Sequence, residues 1–187
     1  MKPYKNLLSG IGLDSNEFAN PPSKFFPLFT LARDEGYHLT CHCDVAQPAT
    51  LTNITEVVTY LGERIDHGLD AGSSPALIAL IKDKNVGMTL CPWAYVRHHT
   101  EANVFGWMRV LFEAGVKVTV GSDSPTYVES NWLVDNLKLM KLRGGWTDEE
   151  MVVLMRNARE ICWAGEGVKE EFGRELDGFV ERNLGVE

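Results

Sequence analysis

The sequence has little positive charge. Its 187 residues hold 18 Lys and Arg against 26 Asp and Glu, a net charge of −8. Nucleic acids are met by basic surfaces, so no nucleic-acid partner is expected. No apolar run approaches the ~18 residues of a membrane span and no secretory signal pattern opens the chain, so no membrane partner is expected either. Neither G-x-G-x-x-G nor G-x-x-x-x-G-K-[ST] occurs, which removes the common nucleotide-phosphate cradles. Cysteine is scarce. Cys41, Cys43, Cys91 and Cys162 lack paired metal-binding spacing and read as reduced, mostly buried thiols of a cytoplasmic protein. Repeats, low-complexity tracts and linkers are also absent.

What is present is alternation of strand and helix. Leu7–Leu13 reads as a strand ending in the polar loop Asp14–Glu17, and Pro21–Glu35 as a helix with Phe25, Phe26, Leu28, Phe29 and Ala32 as its apolar side. Tyr37–Cys41 is the next strand, Thr50–Gly62 a helix, and Arg64–Gly68 a short strand. Ser74-Pro75 opens another helix, with proline at its first position. Val86–Leu90 is a strand broken at Cys91-Pro92, and Glu101–Ala114 a helix stopped by Gly115. Val116–Pro125 (V-K-V-T-V-G-S-D-S-P) is a β-branched strand running into residues that end strands. The remainder is helical. Trp132–Leu142 is expected to bury Leu133, Val134, Leu137 and Met140; a Thr147-x-x-Glu150 capping box opens the next helix; Val168–Asn183 is the last.

Alternation of this kind means a parallel α/β sheet. A (β/α)8 barrel needs eight units and typically ~250 residues, and about five units are visible here. The pattern therefore fits either an open doubly wound sheet or the carboxyl-terminal part of a barrel. In both, chemistry gathers at the carboxyl ends of the strands. Those ends carry His42, His67, Cys91-Pro92 and Asp123. Imidazole and carboxylate converging on one face suit a divalent cation such as zinc. His98 and His99 read as a solvated loop, and Trp93, Trp107, Trp132 and Trp163 as packing residues.

The series L-D-S-N-E (13–17), T-C-H-C-D (40–44), R-I-D-H-G (64–68), C-P-W-A-Y (91–95) and G-S-D-S-P (121–125) resembles the adenosine/adenine deaminase family of metal-dependent amidohydrolases. The resemblance runs from about Leu7 to Cys162. It implies a fold of the metallo-dependent hydrolase type, with strands four to eight of a TIM (β/α)8 barrel present. Residues 1–187 would then be a single partial deaminase domain lacking the amino-terminal strands, with unpaired barrel edges open to self-association.

The resemblance also implies chemistry. His42 and Asp123 fall on metal ligands, with one Zn2+ per active site in the complete domain. His67 falls on the histidine that positions and deprotonates the attacking water. Asp14 and Ser15 lie in the loop that meets the purine ring. The substrate would be a small purine, deaminated at C6 with release of ammonia. Val45 stands where the family has a proton-donating glutamate, so Asp44, the nearest carboxylate, is the candidate proton donor. Ser124 stands where a second aspartate contacts the ring. A catalytically inactive remnant that binds a purine or a protein partner is the alternative expectation, and a third keeps hydrolysis but acts on another ring or ester.

Overall fold

The structure is a computed structural model describing residues 2–127 and 132–185. Five parallel strands run in the order of the chain: β1 (Gly10–Leu13), β2 (His38–Cys43), β3 (Arg64–His67), β4 (Gly87–Leu90) and β5 (Lys117–Val120). Among the described residues each strand pairs only with its sequence neighbours, from Gly10 opposite His38 to Leu90 opposite Val120. A doubly wound sheet reverses its strand order at a switch point. Here the order never reverses, so every crossover steps the same way and the helices gather on one face. The architecture is that of a barrel segment, and the open doubly wound alternative falls.

The two faces of the sheet differ as a barrel wall requires. Toward the helices point Leu39, Cys41, Ile65, Met88, Leu90, Val118 and Val120, all buried. They pack on α2 (Thr50–Tyr60), α3 (Pro75–Asp83) and α5 (Glu101–Glu113) through Ile54, Val57, Val58, Ile78, Ile81, Met108 and Leu111. Toward the barrel interior point Thr40, Arg64, Asp66 and Thr89. Thr40 and Thr89 each donate a hydroxyl to one oxygen of the Asp66 carboxylate, both at 2.7 Å, so one side chain ties three strands together. At the amino ends of the strands the Arg64 guanidinium lies 3.9 Å over the ring of Trp163. On the outer edge of β5, Asn157 of α7 (Asp148–Ile161) donates to the Val118 carbonyl at 3.0 Å. This covers part of an edge that would otherwise be bare.

Several expected boundaries move, each for a local reason. The first helix divides into a 3-10 turn, Pro22–Phe25, and α1 (Phe26–Asp34). Pro27 has no N–H and its ring would strike a carbonyl one turn back, so a continuous helix cannot pass it. Leu28, expected inward, is exposed. Leu7 belongs to a 3-10 helix, Lys2–Leu7, and not to β1. β2 extends to Cys43 because His42 and Cys43 pair with Asp66 and His67 of β3 beyond the point where pairing with β1 stops, which puts His42 inside the strand.

α6 (Leu133–Gly144), packed against the short α4 (Pro92–Tyr95), buries Leu139 and Met140, while Leu133, Val134 and Trp132 are exposed, against expectation. The capping box at Thr147 forms with both of its hydrogen bonds. α8 (Glu166–Leu184) is the last element. Among the described residues no helix is long and apolar enough to cross a membrane.

Candidate active site

The carboxyl ends of β2 to β5 enclose a cleft of about 480 Å³ lined by His42, Asp44, His67, Tyr95, Asp123 and Ser124, with Tyr127 exposed at its mouth. A second lobe of about 310 Å³ lies toward β1, walled by Asp14, Ser15, Glu17 and Phe25. His42 belongs to both lobes. All the residues expected to act are therefore gathered at one end of the sheet. Asp14 and Ser15 stand apart from His67 and Asp123, across the His42 ring.

Glu17 organises the tip of β2. Its Oε1 accepts from His42 Nδ1 at 2.7 Å and from the Asp44 N–H at 2.6 Å, and its Oε2 accepts from Asn53 Nδ2 at 3.2 Å. Burial alone would push the Glu17 carboxyl up, but these hydrogen bonds and the His42 charge outweigh it and hold the carboxyl below its ordinary value. Glu17 is thus an acceptor, and Nδ1 carries the proton. Burial likewise works against a charged His42, yet the hydrogen bond and charge of Glu17, helped by Asp44 and Asp123, raise its pKa overall. With Nδ1 committed, Nε2 is the nitrogen left to ligate, the usual state of a metal-binding histidine with a carboxylate behind it.

His67 is held differently. It is buried, its ring meets that of His42 edge-to-face at 4.2 Å between centroids, and its Nδ1 is 2.9 Å from Tyr95 Oη. Burial, then the neighbouring His42 charge, push its pKa down against the opposing pull of Asp123, Asp44 and Asp66. Its backbone is left-handed at φ +67°, followed by Gly68 at +72°. A Cβ on Gly68 would lie 2.9 Å from Met88 Cε, so this turn requires glycine twice over. Asp123 is also left-handed, at φ +55°, as is Ser15 at +83°. Such conformations cost roughly 1–3 kcal/mol each and concentrate at functional sites.

At the tip of β5, Asp123 is exposed and its Oδ1 accepts from Ser124 Oγ at 3.1 Å. Asp44 Oδ1 accepts from the Val45 N–H at 2.8 Å and its Oδ2 from Gln47 at 3.4 Å, while Val45 is buried in the core.

Four contributions escaped the sequence. Glu17 stood in a quoted motif, but its pairing with a histidine 25 positions away carries no local signal. Asp66 and Tyr95 were likewise inside motifs, with roles that only tertiary contact defines. Cys91, read as a buried thiol at a strand tip and given no part in the chemistry, lies beside His67 and Asp123. His99 is not solvated as expected: its ring packs edge-on to Trp107 at 5.3 Å.

The family profile described as adenosine deaminase matches residues 2–178. The chain belongs to the adenosine deaminase family. An uncharacterized deaminase of Schizosaccharomyces pombe is 38% identical over 180 residues, covering 95% of this chain and 52% of the relative. The crystal structure of an adenine deaminase from Arthrobacter aurescens superposes with a TM-score of 0.85 at 27% identity, over 96% of this chain and 56% of that one. An amidohydrolase from Burkhoderia ambifaria, solved with bound Zn, superposes with a TM-score of 0.81 over 95% of this chain and 51% of that one; at 24% identity it bears on the fold alone. The chain spans about half the length of the curated deaminase relatives it matches.

The residues present suit a cation such as zinc. His42 and His67 each have one ring nitrogen engaged and one left over, and the Asp123 carboxylate and the Cys91 sulfur stand beside His67. That mixture of nitrogen, oxygen and sulfur is zinc's usual donor chemistry.

Proposed function

We propose that this chain supplies the metal-holding and purine-facing part of a hydrolase that deaminates an adenine- or adenosine-like aminopurine and releases ammonia. The observation that carries the reading is the convergence of His42, His67 and Asp123 on one cleft, two of them on left-handed backbone. His42, through Nε2, and Asp123, through its carboxylate, would hold the zinc. A bound zinc polarises water and lowers the pH at which hydroxide forms.

The remaining work falls to the chain's own groups. His67, kept neutral by burial, accepts the proton of the attacking water through Nε2 while Tyr95 fixes the ring. Asp44, protonated and on the wall of the same cleft, gives its proton to the ring nitrogen as water adds at C6. His67 then passes the water's proton to the amine, which leaves as ammonia, and the C6 hydroxyl returns a proton to Asp44 as the carbonyl forms. Asp14 and Ser15 line the lobe toward β1 and seat the purine, and Ser124 hydrogen-bonds it from the β5 side.

A second reading, purine or partner binding without turnover, draws on one observation. Val45 is apolar and buried, and both Asp44 oxygens already accept hydrogen bonds. Assay of ammonia from adenine, adenosine and N6-substituted purines by the zinc-loaded chain separates the two. The deaminase reading expects ammonia, and a drop of about two to four orders of magnitude in His67→Ala, the usual worth of proton handling. Purine binding without ammonia establishes the second reading, hydrolysis without amine release points to other amidohydrolase chemistry, and a loss under tenfold removes His67 from its role.

A further inference from the structure

We infer that this chain pairs with a second copy of itself through the open groove between α6, α7 and α8, with the two-fold axis running along the groove. The groove encloses about 480 Å³ and its lining is mostly apolar: Val134 and Leu137 on the α6 bank, Met151 and Met155 on the α7 floor, Leu176 and Phe179 on the α8 bank. α8 is 19 residues long, yet among the described residues Gly173 is its one buried position. It packs on α7, where Arg156 donates to the Asp177 carboxylate at 2.6 Å and Arg159 to the Lys169 carbonyl at 2.6 Å. Polar ties hold α8 in place while much of its apolar side stays open.

That open side carries a pattern. Val168, Phe172, Glu175 and Phe179 recur at i, i+4, i+7 and i+11, one face of a helix, and all four are exposed. On α6, Val134, Lys138 and Lys141 recur at i, i+4 and i+7 and line the groove. Each bank is thus an apolar stripe with charge set into it, and the two charges are opposite. Over its whole length α8 has six carboxylates against three cations, whereas α6 has three cations against Asp135. Within the chain Lys138 pairs with Asp135, Lys141 with Asp148 and Arg143 with Glu101. The Lys138 and Lys141 pairs join exposed groups, and such pairs are weak enough to exchange partners.

Charge selects both the occupant and the axis. Turning a second copy about an axis along the groove sets its α6 against the first copy's α8 and its α8 against the first copy's α6, so acid meets base at both contacts. An axis across the groove would set α8 on α8, with Glu175 and its neighbouring carboxylates facing their own kind. An acidic peptide would suit α6 alone and a basic one α8 alone; a second copy suits both banks at once. The groove shares no lining residue with either lobe of the active cleft, so the pairing stands or falls independently of deamination.

Sedimentation equilibrium of the 187-residue chain over a range of protein and salt concentrations tests the pairing. A reversible dimer is expected, and it should weaken as salt screens the attraction between α6 and α8. Phe179→Asp and Val134→Asp each put a charge into the apolar contact twice per dimer and should weaken it about 30-fold or more, the scale of losing a central anchor. Leu28→Asp, at an exposed position of α1, should leave it unchanged. Lys138→Glu alone and Glu175→Lys alone should each weaken the dimer about tenfold or more. An equal mixture of those two variants should restore it, because both contacts then join acid to base. A monomer at every concentration overturns the proposal. So does a dimer indifferent to Phe179→Asp and Val134→Asp, which places the contact elsewhere, the strand edges included. A dimer tightened by salt, or a mixture no stronger than either variant, removes the axis and the proposal with it. Circular dichroism checks that each variant is folded; where one is not, the salt dependence of the unaltered chain and the remaining variants decide the question.

Discussion

At the tip of β2, His42 leans on an ionised carboxylate; at the tip of β3, with ring centroids 4.2 Å away, His67 meets a phenol and the buried core. The first arrangement favours a proton on the ring and the second disfavours it. Two chemically identical side chains are thereby given opposite protonation preferences by their surroundings alone. The supports differ too. The β2 tip is held by side-chain hydrogen bonds from a loop and from α2, whereas the β3 tip is held by backbone shape, with His67 and Gly68 both left-handed.

Breaking the β3 support should have the largest effect. Gly68→Ala puts a methyl 2.9 Å from Met88 Cε and 3.0 Å from Ile65 Cγ2, on backbone that already disfavours it. The left-handed conformation alone is worth about 1–3 kcal/mol. Chemical denaturation should therefore show a loss of at least that size, and an unchanged midpoint would mean that the turn is not as rigid as described.

Glu17→Gln acts on the β2 tip alone. It keeps the shape but removes the charge, and should cost about 1–3 kcal/mol through donors left poorly matched. In the metal-free chain NMR should find His42 titrating above His67, with the gap narrowed in Glu17→Gln; the reverse order would overturn the comparison. The sign for stability follows from linkage. Because the folded pKa of His42 is raised, its contribution is complete below the unfolded value of about 6.5 and is lost as pH rises through the folded value. For His67, whose folded pKa is lowered, a penalty develops as pH falls from about 6.5 through the folded value. The two oppose each other, so Glu17→Gln should steepen the loss of stability on moderate acidification. Thermal melts between about pH 5 and 7 test this.

Asn53→Ala sharpens the comparison most gently. It removes one hydrogen bond to Glu17, from a buried amide, and should cost about 1 kcal/mol while leaving His67 untouched. A shift in the His67 resonance as large as that of His42 would show that the two tips are not separately supported.

Much of this was legible before the structure. Strand ends announce themselves through Gly, Ser, Asp and Pro, so His42, His67 and Asp123 could be placed at tips from the chain alone. The parallel sheet followed from alternation. Barrel against open sheet did not, because periodicity records which residues are buried and not the order in which strands lie side by side. Glu17, Asp66 and Tyr95 were out of reach for a related reason: each acts through a partner 23 to 28 positions away, and no local pattern encodes such a pairing. The break in the first helix, by contrast, was readable, since Pro27 is plainly there.

The left-handed backbone at His67 and Asp123 has a consequence for how these positions change over time. Away from glycine, that conformation is populated several-fold more readily by asparagine, aspartate and histidine than by other residues. β-branched and bulky substitutions are disfavoured there by steric cost before any question of activity arises. Among mutations at positions 67 and 123, the shape of the chain therefore favours the small polar and imidazole side chains that can also ligate a cation or carry a proton. Drift at the tips of β3 and β5 is channelled by geometry toward the amino acids that the chemistry uses.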